Sequence, residues 1–209
     1  ACHWPHHVPR EWIERQKGRY DIGWDAIREA RFARQKQLGI LPADAKLAPR
    51  NPGVEAWDRL SPDVRRLCGR LQETYAAFLE HTDAQIGRLV DALAHAGRLD
   101  DTLILLMSDN GASPEGGPTG AINLRKHMVY EEESPAVGLA NLDKIGGDEA
   151  FNHYPTGWAQ VSNTPLKWYK KDAHGGGIRA PLVVHWPRRI TKPGVRTQYH
   201  HVTDVAPTR

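Results

Sequence analysis

Thr102-Leu103-Ile104-Leu105-Leu106-Met107-Ser108-Asp109-Asn110-Gly111 is the stretch that decides how this chain folds. An apolar run without polar interruption ends in a carboxylate, an amide and a glycine. So short a run, bounded by polar residues and a turn signal, predicts a strand over Leu103 to Met107 that is buried on both faces, as in a parallel sheet. Open α/β sheets collect their ligands just beyond the carboxyl ends of such strands. Asp109 and Asn110 are thereby placed where chemistry gathers, and their oxygens suit a hard cation such as calcium or magnesium. An Asp-Asn-Gly at a strand end is equally an ordinary turn, so the motif by itself leaves both readings open.

Upstream of the strand lies the clearest helix. Ser61 is its predicted N-cap and Pro62 its first helical residue. Leu67, Leu71, Phe78, Ile86, Leu89 and Leu93 then recur at helical spacing toward Ala96, where Gly97 is a plausible C-cap. A long amphipathic helix has to cover a sheet, and helix, turn and buried strand make half of an α/β layer. A second helix is predicted over Asp25 to Leu38. Ala1 to Arg10, rich in His and Pro, and Leu41 to Pro62, carrying Pro42, Pro49, Pro52 and Pro62, read as irregular.

Downstream, residues 111–163 read as a long polar loop insert broken by glycines, with a short helix over Ser134 to Ile145. A second buried strand is predicted over Ala180 to Trp186. No internal repeat is present.

The 209 residues are 40% hydrophobic and 25% charged, a globular balance. One domain is expected. A net charge of +3 is too small to argue for nucleic acid, and no basic cluster is interleaved with stacking aromatics. No apolar run approaches the length of a membrane span. Seven Trp residues could line a cleft, although large amphipathic rings more often pack at a core edge. Cys2 and Cys68 have no metal or redox spacing; one disulfide would fit, and two free thiols are the expectation. The chain does not begin with Met and reads as a piece of something longer.

His3-Trp4-Pro5, Ile86-Gly87-Arg88-Leu89, Leu106-Met107-Ser108-Asp109-Asn110-Gly111 and Lys170-Lys171-Asp172-Ala173-His174-Gly175-Gly176-Gly177-Ile178-Arg179-Ala180-Pro181 occur in the order seen in arylsulfatases. Phe151-Asn152-His153-Tyr154-Pro155, Asn163-Thr164-Pro165 and Val202-Thr203-Asp204-Val205-Ala206-Pro207-Thr208 extend the resemblance over the whole chain. It implies a three-layer α/β/α sandwich of the alkaline phosphatase-like kind, here incomplete, with residues 1–209 forming part of a sulfatase catalytic domain. It implies hydrolysis of small-molecule sulfate monoesters. Asp109 and Asn110 match the later half of the family's calcium site, with magnesium as the alternative ion. His3 and Lys170 resemble the catalytic residues that contact the sulfate ester oxygens and assist the departing alcohol. Lys170 is preferred to Lys171 because it keeps the family's spacing to Gly176-Gly177. His174 is a further substrate-binding residue on this reading, with a structural hydrogen bond as its alternative. The chemistry is coherent, since fixed cations beside an oxygen that gains negative charge stabilise the transition state more than the ground state.

The departures are as informative. The family nucleophile is a formylglycine made from the Cys or Ser of a C-x-P-x-R type motif, and neither Cys2 nor Cys68 lies in one. The N-terminal Asp pair of the metal site has no counterpart either. Nucleophile and half the metal site are thus expected upstream of Ala1, and the chain alone is expected to be inactive. Gly175 stands where many members of the family have Glu. His6 and His7 are expected to be merely solvated, and the glycines at 175–177 to form a turn with positive φ before the strand. Two rivals remain: a phosphonate or phosphate monoester hydrolase of the same superfamily, and a truncated, non-catalytic product. The compartment follows only from the resemblance, whose bacterial members are periplasmic or cytoplasmic.

Overall fold

A computed structural model of the chain describes residues 2–129, 131 and 133–208. Ala1, Tyr130 and Glu132 of the insert, and Arg209 lie outside the described residues. The elements in chain order are α1 (Arg10–Glu14), α2 (Gly23–Gln37), α3 (Pro62–His95), β1 (Ile104–Met107), α4 (Leu124–Met128), α5 (Pro135–Ala140), α6 (Thr156–Ser162), α7 (Gly175–Ile178) and β2 (Leu182–His185). Helices and a small sheet together are compatible with an incomplete α/β fold.

Helix α3 begins and ends as its residues dictate. Ser61 Oγ accepts from Val64 N at 3.3 Å, and Pro62 occupies the first turn, where its missing N–H costs nothing. Gly97 follows the last turn with φ +64°, the left-handed conformation that glycine adopts without strain. The burial of α3 is uneven. Leu67, Cys68, Leu71 and Ala77 are buried, whereas no residue of the helix beyond Ala77 is. The predicted apolar stripe continues through Leu89, which is exposed. Helix α3 packs against α1 and α5 over its covered half.

The core is aromatic. Trp24 of α2, Trp57 and Trp158 of α6 meet edge to face, with ring centroids 4.8, 5.8 and 5.7 Å apart. Each such pair contributes roughly 0.5–1.5 kcal/mol beyond its buried area. Two of the indole N–H groups are satisfied, Trp24 Nε1 by Glu55 O at 3.0 Å and Trp158 Nε1 by Cys68 O at 2.9 Å. These tryptophans pack rather than line a cleft. Ile122, Ile145, Tyr154 and Val161 complete the cluster, so much of the core comes from residues 111–163. That stretch carries three short helices, more structure than its glycines suggest.

The strands depart from expectation. They occur where predicted, but β1 and β2 pair antiparallel, with Ile104 opposite His185 and Met107 opposite Leu182. They form a sheet of two strands among the described residues. The sheet is not buried: Leu106 is 44% exposed and Val183 57%. An uninterrupted apolar run reports that a strand seeks cover, not that residues of the same chain supply it. Cys2 and Cys68 are free thiols, and burial pushes the Cys68 thiol up to about 12. No helix of the described residues is long and apolar enough to cross a membrane.

Candidate functional site

The end of β1 is laced to a loop far along the chain. Ser108 Oγ donates to Asn110 O at 2.8 Å and Asn110 Nδ2 to Gly111 O at 2.8 Å, which closes the turn carrying Asp109. Gly111 N then donates to Gly177 O at 2.9 Å, and Lys170 N to Ala112 O at 3.0 Å. Asn163 clamps the same junction, accepting from Ala112 N at 2.9 Å and donating to Trp168 O at 3.0 Å. Asp109 and Asn110 thus stand next to the segment that carries Lys170.

The glycines at 175–177 serve this junction differently from the prediction. They form the first turn of α7, and none has a positive φ. Close approach is the reason for Gly176 and Gly177, whereas a Cβ at Gly175 would meet only ordinary contacts. A Cβ at Gly176 would lie 2.0 Å from Trp168 O, and one at Gly111 would lie 1.6 Å from Gly176 O.

Lys170 and His3 meet. Lys170 Nζ lies 3.3 Å from His3 Nε2, across 167 residues of sequence. An ammonium only donates, so the imidazole nitrogen facing it is the acceptor. The other ring nitrogen, Nδ1, sits 3.4 Å from Trp4 O. The sequence reading missed a third member, Glu115. Its Oε2 pairs with Lys170 Nζ at 3.1 Å and its Oε1 with Lys171 Nζ at 3.0 Å. Burial opposes ionisation of Glu115, but hydrogen bonds from Ser113, Lys171 and Lys170 outweigh it and hold the carboxyl down to about 2. A glutamate in Ser-Pro-Glu-Gly-Gly carries no motif signal, since its partners lie 55 residues away.

The other sequence-predicted residues fall at varying distances from this contact. His174 is exposed at the N-cap of α7, its carbonyl accepts from Gly177 N at 2.8 Å, and its ring faces Trp168 at 6.0 Å rather than Lys170. His6 and His7, expected to be solvated, are held by the fold. His7 Nε2 lies 2.7 Å from Ala150 O. His6 is buried among Tyr75, Phe78, His153 and Tyr154. Burial first, then the neighbouring His153, His3 and His7, keeps the His6 imidazole far below its usual range. Burial also lowers His153 to about 4.

As a cation site the strand end fits in part. The exposed Asp109 carboxylate and the half-buried Asn110 amide oxygen are hard donors of the kind calcium selects. Calcium takes about six to eight such oxygens. Among the described residues, no group of three or more His, Cys, Asp or Glu is arranged to hold a metal ion.

Comparison with known proteins gives these residues a context. The profile of the sulfatase family matches residues 1–209. The chain is 35% identical over 210 residues to an uncharacterized sulfatase of Schizosaccharomyces pombe, covering 100% of this chain and 37% of that protein. It is 34% identical over 213 residues to an arylsulfatase of Klebsiella aerogenes, covering 100% of this chain and 43% of that protein. A mouse steryl-sulfatase is 27% identical over 139 residues, or 66% of this chain and 16% of that protein. The chain therefore spans less than half the length of the curated relatives it matches.

Proposed function

Because the chain belongs to the sulfatase family, with its alkaline phosphatase-like α/β fold, we propose that it supplies one wall of a site that hydrolyses sulfate monoesters of small molecules. The observation that carries this reading is the 3.3 Å contact of Lys170 Nζ with His3 Nε2, beside the turn that bears Asp109 and Asn110. His3 and Lys170 are the catalytic pair. The ammonium binds the nonbridging oxygens of the ester, where negative charge builds as the S–O bond breaks. The imidazole, held by the ammonium and by the Trp4 carbonyl, takes a proton from the ammonium through Nε2 and passes it to the departing alcohol. On this reading His174, four residues beyond Lys170, binds the substrate at the outer edge of the site.

Asp109 and Asn110 hold one side of a calcium ion, with magnesium as the alternative. Such an ion supplies Lewis-acid polarisation and a template for the ester oxygens. The remaining metal ligands and the formylglycine nucleophile belong to sequence outside these 209 residues, which contain no C-x-P-x-R motif.

Kinetics of the full-length protein test the reading. Lys170→Ala lowers kcat/KM for an aryl sulfate by roughly 10²–10³-fold, the usual cost of removing one fixed group from a developing oxyanion. The 209-residue chain alone turns over no aryl sulfate. A Lys170→Ala protein within threefold of wild type would overturn the role of the lysine. Faster hydrolysis of aryl phosphate or phosphonate than of aryl sulfate by the wild type would move the protein to the sister hydrolases.

A further inference from the structure

Glu115 has no part in the reading above, yet it is the most firmly held charge beside the reacting pair. Its two oxygens are divided between two lysines, Oε2 to Lys170 at 3.1 Å and Oε1 to Lys171 at 3.0 Å. Ser113 Oγ donates to Oε2 at 2.8 Å, and Glu115 N donates back to Ser113 Oγ at 3.2 Å, so the carboxylate is fixed by its own turn. The turn is anchored in its turn by Ser113 N, which donates to the hydroxyl of the buried Tyr154 at 3.2 Å. The side chains of Glu115 and Lys170 are 20% and 22% exposed, whereas Lys171 is 67% exposed. Lys170 is consequently gripped from two sides, by Glu115 and by His3 Nε2.

Charge at this end of the site then has a definite balance. Two ammonium groups and one carboxylate leave a single positive charge, and partly buried charges are screened less by salt than exposed ones. A sulfate monoester carries one negative charge at neutral pH. A phosphate monoester, with a second pKa near 6, carries close to two. An added positive charge attracts the dianion about twice as strongly as the monoanion, and an added negative charge repels it about twice as strongly.

We infer that Glu115 is a positioning and specificity-determining residue: it holds Lys170 against His3 and caps the positive charge there at one, which favours a monoanionic sulfate ester over a dianionic phosphate ester. The inference rests on the sulfatase reading given above.

The test compares an aryl sulfate and an aryl phosphate of the same alcohol in the full-length protein. Glu115→Gln keeps the shape and removes the negative charge. It raises the phosphate-to-sulfate ratio of kcat/KM by about tenfold, the effect of one unit charge at an intermediate effective dielectric. Lys171→Gln removes a positive charge from the exposed neighbour and lowers the same ratio. Glu115→Asp, which restores the charge, brings the ratio back toward wild type. An unchanged ratio in Glu115→Gln, or a shift of both glutamine variants in the same direction, overturns the inference. Should Glu115→Gln fail to fold, the sign of the Lys171→Gln shift decides. Absence of aryl sulfate turnover in the wild type, measured first, overturns the sulfatase reading instead.

Discussion

The tryptophan cluster and the strand pair are both built of apolar residues, yet they are in opposite situations. Trp24, Trp57 and Trp158 are enclosed by one another, by Leu71 and Tyr154, and by hydrogen bonds that satisfy two of the indoles. Leu106, Val183 and Val184, as apolar as any core residue, are each more than two-fifths exposed to water. What separates the two regions is cover, not composition. The cluster draws on α2, Trp57, α3, the insert with its helix α6, and Tyr169, so segments distant in sequence close around it. The strands have each other and no enclosing layer among the described residues. The candidate site residues lie on the seam, tied to the cluster through Tyr154 and Asn163 and to the strands through Gly111.

The sharpest way to break this contrast is to empty the core. Trp158→Ala removes a ring that touches Trp24, Trp57 and Tyr20. A large-to-small change at such a site costs about 3–5 kcal/mol. Urea unfolding reads that loss, and a cost below about 1.5 kcal/mol would show that the cluster is not the stabilising centre. Acid provides the next effect, on the order of 3 kcal/mol. His153 titrates near 4 in the fold, against about 6.5 in the unfolded chain, because burial disfavours its charged form. The unfolded state therefore takes up the proton first. Stability is complete above about pH 6.5 and is lost as the pH falls from there toward 4. His6, lowered further, adds to the loss in the same direction. Hydrogen exchange at pH 7 and pH 5 checks this, with protection falling for core amides around Tyr154 and little further change in β1 and β2. Equal loss in both regions would show that the two are not independent. The smallest effect belongs to the strands. Val183→Thr changes stability by no more than about 0.5 kcal/mol, as expected for an exposed position. A loss above 1.5 kcal/mol in the same urea titration would mean that β2 is covered in solution.

The same contrast explains what could be read from the residues. Helix α3 was legible at both ends because Ser61-Pro62 and Gly97 are local signals, and α2 falls within two residues of its predicted span. Both strands were placed, since an apolar run between turn signals is also local. Their burial and antiparallel pairing were not, because both depend on what else surrounds the sheet. The insert hid its core residues, Ile122, Ile145 and Trp158, behind glycines and polar neighbours that break any period. His3 and Lys170 carry no local mark, so only resemblance to arylsulfatases singled them out. Glu115 escaped both routes. The glycines at 175–177 were noticed, but their need was attributed to positive φ, when at Gly176 and Gly177 it lies in close approach to the carbonyls of Trp168 and Asp172.

The separation of His3 from Lys170 has a consequence for biosynthesis. A ribosome adding about 5–20 residues per second needs roughly 8–30 seconds to cover the 167 positions between them. Throughout that interval the nascent polypeptide presents an imidazole without its ammonium partner. The contact is consequently made only after Trp24, Trp57 and Trp158 have all been synthesised.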